Sequence, residues 1–548
     1  MDFNPKTAAF NEYIKGLIVE IDRRVLDKII EQTNADLIKK LITNADTLDE
    51  AISIAMLGTT YKRTGFHFDK RLEKTDNTIR YFKKNEALSF KTSDDTTTHK
   101  LIIGDNYDAL HNLLIQYRGK VDVIYIDPPY GKDKMGKFAV TNYNNAITRD
   151  NLLSMLYPRL VLARQLLSDE GVIFCSIDDR NHAYVKCLFD EIFEERNFIG
   201  EYVWQSKLTG GYDNDNINMQ HEYVLAYGNN KAKNTLSKEE CSSTKYTLVD
   251  EDGRYYKWDS LWNVGGLSYS KSLDYAIIAP DGTEIWPCGE RGVAFWLWSQ
   301  DKVEKEKRDL KFSKDKNGEW KVYKKVYALD TIVSASVLLD AKIVKGNTNA
   351  TAEIKSIFET KLFDYAKPVE LIKYLVERGE KTNNGIVMDF FAGSGTTGQA
   401  VVELNCSDKG TRTFIGVQLD ENLDEVLDTA ISEKEKSMFR SQIAFCDKYQ
   451  RPHLLSEITA ERLRRVMTGK CYDGTDNFKW VEKNKPLGGN LDVYDIGQVI
   501  SFGEVNEGFT PFDVIDETLY GQDEMDTASK IKWVCENFEG TRRKLDKE

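Results

Sequence analysis

The chain has 548 residues, 41% of them apolar, which is enough for more than one hydrophobic core. Its formal net charge of −13, from 75 Lys+Arg against 88 Asp+Glu, excludes a uniformly basic nucleic-acid coat, so any DNA contact has to be a local patch. No run of about 18 apolar residues occurs, and the opening MDFNPKTAAFNEYIKG lacks the layout of a signal peptide, so no membrane association and a cytoplasmic location are expected.

In chain order, Phe10, Ile14, Ile18, Ile21, Val25, Ile29, Ile30, Leu37 and Leu41 recur at helical spacing and predict a helical region over 8–56. Residues 69–99 are polar and read as a connector. Apolar runs at Leu101–Ile103, Val121–Ile126 and Val172–Ile177 predict strands. Leu152, Leu153, Leu156, Leu160, Ala163 and Leu167 predict a helix capped by Gly171, and Ala183, Leu188, Phe189, Ile192 and Phe193 predict another. This alternation implies an α/β fold with a parallel sheet.

From about 200 to 345 the texture turns aromatic and Gly-rich (Trp204, Tyr255, Tyr256, Trp258, Trp262, Trp296, Trp298) with a Lys-rich stretch at 302–325, which favours short strands and loops. The α/β texture returns with a helix from Lys367-Pro368 to Arg378 capped by Gly379, the strand Ile386–Met388, a Gly-rich turn and helix, and the strand Thr413–Val417. A helix ending at Gly469 opens the last hundred residues. One α/β domain is thus expected to be interrupted by an insertion. Eight cysteines and six histidines are scattered without CxxC pairs or zinc-like spacing, so no metal is expected.

Two motifs carry chemistry. VDVIYIDPPYGKD (121–133) is an apolar strand running into Asp127-Pro128-Pro129-Tyr130. Its prolines fix φ and remove backbone donors, leaving carbonyls free beside a carboxylate at a strand's carboxyl end, where open α/β sheets bind ligands. Alone it is also compatible with a plain turn. IVMDFFAGSGTTGQA (386–400) is a strand ending in Asp389, then a Gly-rich turn opening a helix. No Lys follows its last glycine, which excludes a P-loop, and the strict dinucleotide GxGxxG is absent. Alone it is compatible with an ordinary β-turn-α junction.

Together, Asp-Pro-Pro-Tyr followed by Phe-x-Gly-x-Gly-Thr resembles the amino-methyltransferases of DNA, in the order of their β class. GDNYDAL (104–110), YPRLVLARQLLSDEG (157–171), VIFCSIDD (172–179), HEYVLAY (221–227), KPVELIKYLV (367–376) and KPLGGNLDVY (485–494) resemble the modification subunit of type III restriction-modification systems. The resemblance implies a Rossmann-like S-adenosylmethionine-dependent methyltransferase fold. Its expected parts are an N-terminal helical region and connector (1–99), a catalytic half (100–200), an inserted target recognition domain (201–345), a cofactor half (346–450) and a C-terminal domain (451–548).

By that resemblance, Asp127 and the Pro128 carbonyl accept hydrogen bonds from an adenine amine, with Pro129 completing the rigid turn, and Tyr130 stacks on the flipped base. S-adenosylmethionine is the implied cofactor: Asp389, Phe391, Gly393, Gly395 and Thr396 hold its methionine part, Lys367 with Pro368 precedes them, Lys367 and Asp127 are also among the cofactor-binding residues, and Asp105 lies near the adenosine. Gln418 stands where an acidic residue is expected for the ribose hydroxyls, with Asp420 two positions on. Double-stranded DNA, a homodimer and a restriction subunit with helicase and nuclease activity are the implied partners. The Lys hairpin around Asn317-Gly318 and KLTGGY (207–212) are candidate DNA contacts or ordinary surface. The alternatives are an N4-cytosine methyltransferase, which often has Ser where Asp127 stands, a non-catalytic recognition subunit, and an RNA or protein methyltransferase. No Walker A motif or nuclease cluster is seen, so DNA cleavage requires a partner.

Overall fold

The computed structural model describes residues 8–26, 30, 32–56, 78–94, 96–130, 148–207, 217–231, 236–240, 246–262, 268–287, 294–328, 331–332, 337–338, 344–364, 366–430, 432–500 and 510–543. They fall into two compact units, Met1–Asp69 and Lys70–Glu548. In the first, the spacing read between 8 and 56 resolves into three helices, Ala8–Leu26, Gln32–Asn44 and Leu48–Met56. Ile14, Ile21, Ala35, Ile42, Ala51 and Ala55 bury their side chains against one another, one stripe from each helix.

The second unit is built on an eleven-stranded sheet. Its strands are β1 Thr78–Lys84, β2 Thr98–Ile103, β3 Val121–Ile126, β4 Leu167–Ile177, β5 Phe198–Gln205, β6 His221–Gly228, β7 Val337–Leu338, β8 Ile386–Asp389, β9 Thr413–Gln418, β10 Asn490–Ile500 and β11 Arg542–Arg543. Neighbours run β7-β5-β6-β4-β3-β8-β9-β2-β10-β1-β11. The six strands from β4 to β10 in that order are parallel, while β6 and β1 run antiparallel against them on either side. The central strands are buried on both faces, which is why they read as continuous apolar runs rather than alternating ones. Val123, Phe174, Val387, Phe414 and Val493 share one core with the helices Val369–Gly379 and Leu455–Thr468. This is the Rossmann-like α/β architecture expected.

The sheet order creates the position that matters for function. β3 leads outward through the helix Thr148–Leu166 to β4, whereas β8 leads the other way through the helix Thr396–Asp408 to β9. The crevice beyond the carboxyl ends of β3 and β8 is therefore a topological switch point, the usual ligand site of open α/β sheets. Met388 pairs with Ile124, so Asp127 and Phe391 each stand three residues beyond a paired position.

Several boundaries differ from the sequence reading. Residues 69–99 are more than a connector, because β1 lies within them, and 451–548 supplies β10 and β11 to the same sheet. β5 and β6 extend the core sheet, so the inserted region begins after Gly228 rather than at 201. Gly171 does not cap a helix: it lies inside β4, where a Cβ would sit 2.8 Å from the Val121 carbonyl oxygen. Gly379 ends its helix from within, pressed on the sheet, where a Cβ would meet Val172 Cγ1 at 2.6 Å. Gly469 does cap the helix Leu455–Thr468, with φ of 70°.

Within the insertion, Leu310–Lys314, Trp320–Tyr327, Tyr255–Ser260 and Leu248–Val249 form a small antiparallel sheet in that order. Leu261, Ile277, Ile285, Trp296, Trp298 and Val322 fill a separate core, which is what the aromatic texture builds.

Candidate functional site

β3 delivers Asp127 and Tyr130 to the switch point, and β8 delivers Asp389 and the turn to Gly395. Between them lies a cavity of about 140 Å³ lined by, among others, Tyr125, Asp127, Lys367, Asp389, Phe391, Gly393, Ser394, Thr396 and Thr397. The turn is held open by Gly393 and Gly395, whose φ of 53° and 78° are left-handed and suit glycine. It is pinned at both ends: the Ala392 amide donates to the Val417 carbonyl at 3.0 Å and the Gly395 amide to Ala392 at 2.8 Å. Asp389 accepts from the Phe391 amide at 2.9 Å and from the Thr397 hydroxyl at 2.5 Å. Burial pushes its carboxyl up to about 7.

Lys367 is the hub on the β3 side of the cavity. Its ammonium donates to both Asp127 oxygens at 2.8 and 2.9 Å and to the Tyr130 hydroxyl at 2.8 Å, and stands 3.4 Å from Glu222 Oε2. It also lies 4.8 Å from the centre of the Tyr130 ring. Tyr130 in turn donates to Glu222 Oε2 at 3.1 Å, and the Asn181 amide donates to the Tyr130 carbonyl at 3.0 Å. Burial raises the Asp127 carboxyl above its ordinary value and Lys367 offsets part of that rise. At Glu222 burial pushes up as well, yet Lys367 and the Tyr130 hydroxyl leave it below the ordinary value. Burial pulls Lys367 down, and the two carboxylates more than restore it. The cluster is therefore one ammonium between two carboxylates.

The residues expected at the adenosine end meet each other away from that cavity. Asp105 caps the helix Asn106–Tyr117, accepting from the Tyr107 amide at 2.7 Å, and pairs with Arg159 Nη2 at 2.9 Å. Gln418 ends β9 beside it, its carbonyl accepting from the Gly104 amide at 2.9 Å, and its side-chain amide donates to Leu419 O at 3.1 Å. Asp420 is engaged elsewhere, accepting from Ser456. The Asn106 side chain, donating to the Phe390 carbonyl at 2.8 Å, ties this pair to the Gly-rich turn.

Sequence reasoning assigned no role to Glu222, Arg159, Asn181 or Arg462. The last is fully buried in the helix Leu455–Thr468, and its guanidinium donates to Ser394 O at 3.1 Å, Ser394 Oγ at 2.9 Å and Thr396 Oγ1 at 2.8 Å. Thr459, one turn earlier, donates to the Gly393 carbonyl at 2.6 Å. Glu222 and Arg159 lie in segments singled out by resemblance, but only spatial proximity reveals what they touch.

The Lys-rich stretch does form a hairpin, turning at Gly318 with φ of 80°. Lys314, Lys321 and Lys325 reach acidic partners inside the module, at Asp281, Asp315 and Asp309, which lowers the positive charge they present. Residues 208–212 of KLTGGY and 131–133 of the first motif lie outside the described residues.

Comparison with known proteins bears on this geometry. A family model described as DNA methylase matches residues 121–428, from β3 past β9, and one described as an uncharacterised conserved protein matches residues 11–123. The chain is 32% identical over 376 residues to the Type III restriction-modification enzyme EcoPI Mod subunit of Escherichia phage P1, covering 59% of this chain and 57% of that one. It is 31% identical over 449 residues to the EcoP15I Mod subunit of Escherichia coli, covering 68% and 65%. It is 30% identical over 409 residues to the Type II methyltransferase M.KpnI of Klebsiella pneumoniae, covering 70% and 89%. The chain thus spans somewhat under two thirds of the length of the Mod subunits it matches. The matched segment includes both strand ends of the switch point, and with them the carboxylate turn and the Gly-rich turn; the chain belongs to the DNA methylase family.

Proposed function

We propose that this chain methylates the N6 amine of a flipped adenine in duplex DNA, with S-adenosylmethionine as methyl donor, as the modification and recognition subunit of a type III restriction-modification system. The observation that carries it is the placement of the Asp127 carboxylate, at the end of β3, in one cavity with Asp389 and the Gly-rich turn. Similarity to the EcoPI and EcoP15I Mod subunits supports the system, and the carboxylate of Asp127 where the cytosine enzymes often carry Ser favours adenine.

S-adenosylmethionine, when bound, would supply an electrophilic methyl on a sulfonium. The lining suits such a cation once Asp389 is ionised, since Asp127 and Asp389 then exceed the single charge of Lys367 there. Asp389, Phe391, Gly393, Gly395 and Thr396 would hold the methionine part, and Asp105 with Gln418 the adenosine. Asp127 and the Pro128 carbonyl would accept hydrogen bonds from the target amine, drawing its lone pair out of conjugation with the ring. Tyr130 would stack on the extruded base. The nitrogen would bond to the methyl as the methyl's bond to sulfur breaks, leaving a neutral thioether, and the amine would release one proton to water; no covalent enzyme intermediate is needed. The insertion would read the DNA sequence; a homodimer, a helicase-nuclease partner and a cytoplasmic location complete the reading. Among the described residues, no helix is long and apolar enough to cross a membrane.

Purified protein should transfer labelled methyl to duplex DNA with only S-adenosylmethionine added, and sequencing of modified bases should place it on adenine N6 in one sequence context. Asp127→Ala should abolish transfer while cofactor binding persists. Methylation of cytosine N4, or full transfer by Asp127→Ala, would overturn this reading.

A further inference from the structure

The cation that occupies Asp127 stands where the proposed substrate has to bind. Lys367 Nζ presents N–H donors to the carboxylate at 2.8 and 2.9 Å and lies 4.8 Å from the Tyr130 ring centre. An incoming amine needs the same carboxylate, while the ammonium meets Tyr130 at its hydroxyl, 2.8 Å away, rather than over the ring face. An ammonium carries three donors, and here they are aimed at Asp127, Tyr130 and Glu222. Of these contacts the one to Glu222 is the longest, at 3.4 Å, so it is the one with room to shorten.

Glu222 is built for that role. It lies near the start of β6, which runs antiparallel to β4, so it sits at the same end of the sheet as Asp127. Its side chain is 14% exposed and already holds two neighbours, accepting from the Tyr130 hydroxyl at 3.1 Å and from the Asn347 amide at 3.4 Å. A buried carboxylate so placed can take a full ion pair from Lys367 without leaving the ammonium unpaired in a low-dielectric site.

We propose that Glu222 is a positioning residue for methyl transfer: it receives the Lys367 ammonium when the target amine takes Asp127, and it holds the Tyr130 hydroxyl so that the ring meets the base. The inference rests on the adenine-methyltransferase reading above. Glu222 never touches the methyl group; it acts through Lys367 and Tyr130.

The test uses the full-length protein and a duplex carrying the adenine found to be methylated by the wild type. A second duplex carries 2-aminopurine at that position, which fluoresces on leaving the stack. Glu222→Ala should lower the single-turnover methyl-transfer rate on the order of 100-fold and more than halve the fluorescence rise at saturating duplex, with S-adenosylmethionine affinity within about twofold of wild type. Glu222→Gln keeps an acceptor for Tyr130 and loses the charge, and should fall between the two. A rate and a fluorescence rise unchanged in both variants would overturn the proposal, as would loss of cofactor binding in step with transfer, which marks a merely structural role. If the wild type itself transfers no methyl to adenine, the underlying reading fails first, and the two failures are distinguishable.

Discussion

Replacing Lys367 by methionine should move the acid limb of the methyl-transfer pH profile upward. The ammonium lies 2.8 and 2.9 Å from the two Asp127 oxygens. A unit pair at that separation interacts by about 6 kcal/mol at an effective dielectric constant of about 20. The Asp127 side chain keeps 26% of its surface exposed, so water screens part of this. Halving it leaves about 3 kcal/mol. The sign follows from the two opposed influences on Asp127: burial raises its carboxyl, and Lys367 pulls it back down. Without the ammonium the carboxyl titrates higher, and a protonated acid is a weaker acceptor for the amine hydrogen bond that falls to Asp127. Methionine keeps most of the stem's volume, which limits the packing change. Single-turnover transfer measured from pH 6 to 9.5 at saturating cofactor and sub-saturating duplex should show the variant slowed about 100-fold at the acid end and recovering as pH rises, its acid limb above that of wild type. A uniform loss at every pH, with the limb unmoved, would refute the assignment of Lys367 as the group that keeps Asp127 ionised.

The Asp389 carboxyl, at about 7, is roughly one-tenth ionised at pH 6 and nine-tenths at pH 8, and a cationic cofactor favours the ionised form. S-adenosylmethionine affinity measured by calorimetry should therefore rise about tenfold over that range, and Asp389→Asn should bind weakly with a flat profile. Arg462→Gln removes the charged donor behind Ser394 and Thr396, and should weaken cofactor affinity by about tenfold, at roughly 1–2 kcal/mol for the unpaired groups, with duplex binding unchanged in a mobility-shift assay. Gly379→Ala drives a Cβ into Val172 and Phe174 and should cost about 1–3 kcal/mol, seen as a lowered thermal midpoint, whereas Gly318→Asn on the exposed hairpin should cost far less.

The sheet was legible because its parallel strands are buried on both faces and therefore spell unbroken apolar runs; Val121–Ile126 has the same bounds in sequence and structure. The two turns were legible for a different reason: Asp-Pro-Pro fixes the backbone and Gly-Ser-Gly frees it, and although either alone fits an ordinary turn, the two in that order resemble the amino-methyltransferases. What stayed hidden is what depends on distant pairing. β1 is seven residues of mixed polarity whose place is set by β10, and nothing local in TIRYFKK announces it. Gly171 and Gly379 resemble helix caps in one dimension, and only the close approach of Val121 and Val172 shows that they are clearances. Arg462 and Glu222 look like surface charges in the sequence, and their burial follows from the folding of segments far away against the turns they support.

The interleaved strand order bears on how the chain is made. β2 and β3 are early in the sequence yet never pair with each other: Val123 waits for Val387, and Lys100 waits for Ile415 and Asp492. During synthesis, strands with unsatisfied edges would leave the ribosome long before β8, β9 and β10 are translated. Folding of the sheet is then a late event, limited by closure of very long loops. A nascent chain stalled inside the insertion would carry Asp127 with no ordered crevice around it, so that carboxylate cannot meet the Gly-rich turn until nearly three quarters of the chain exists.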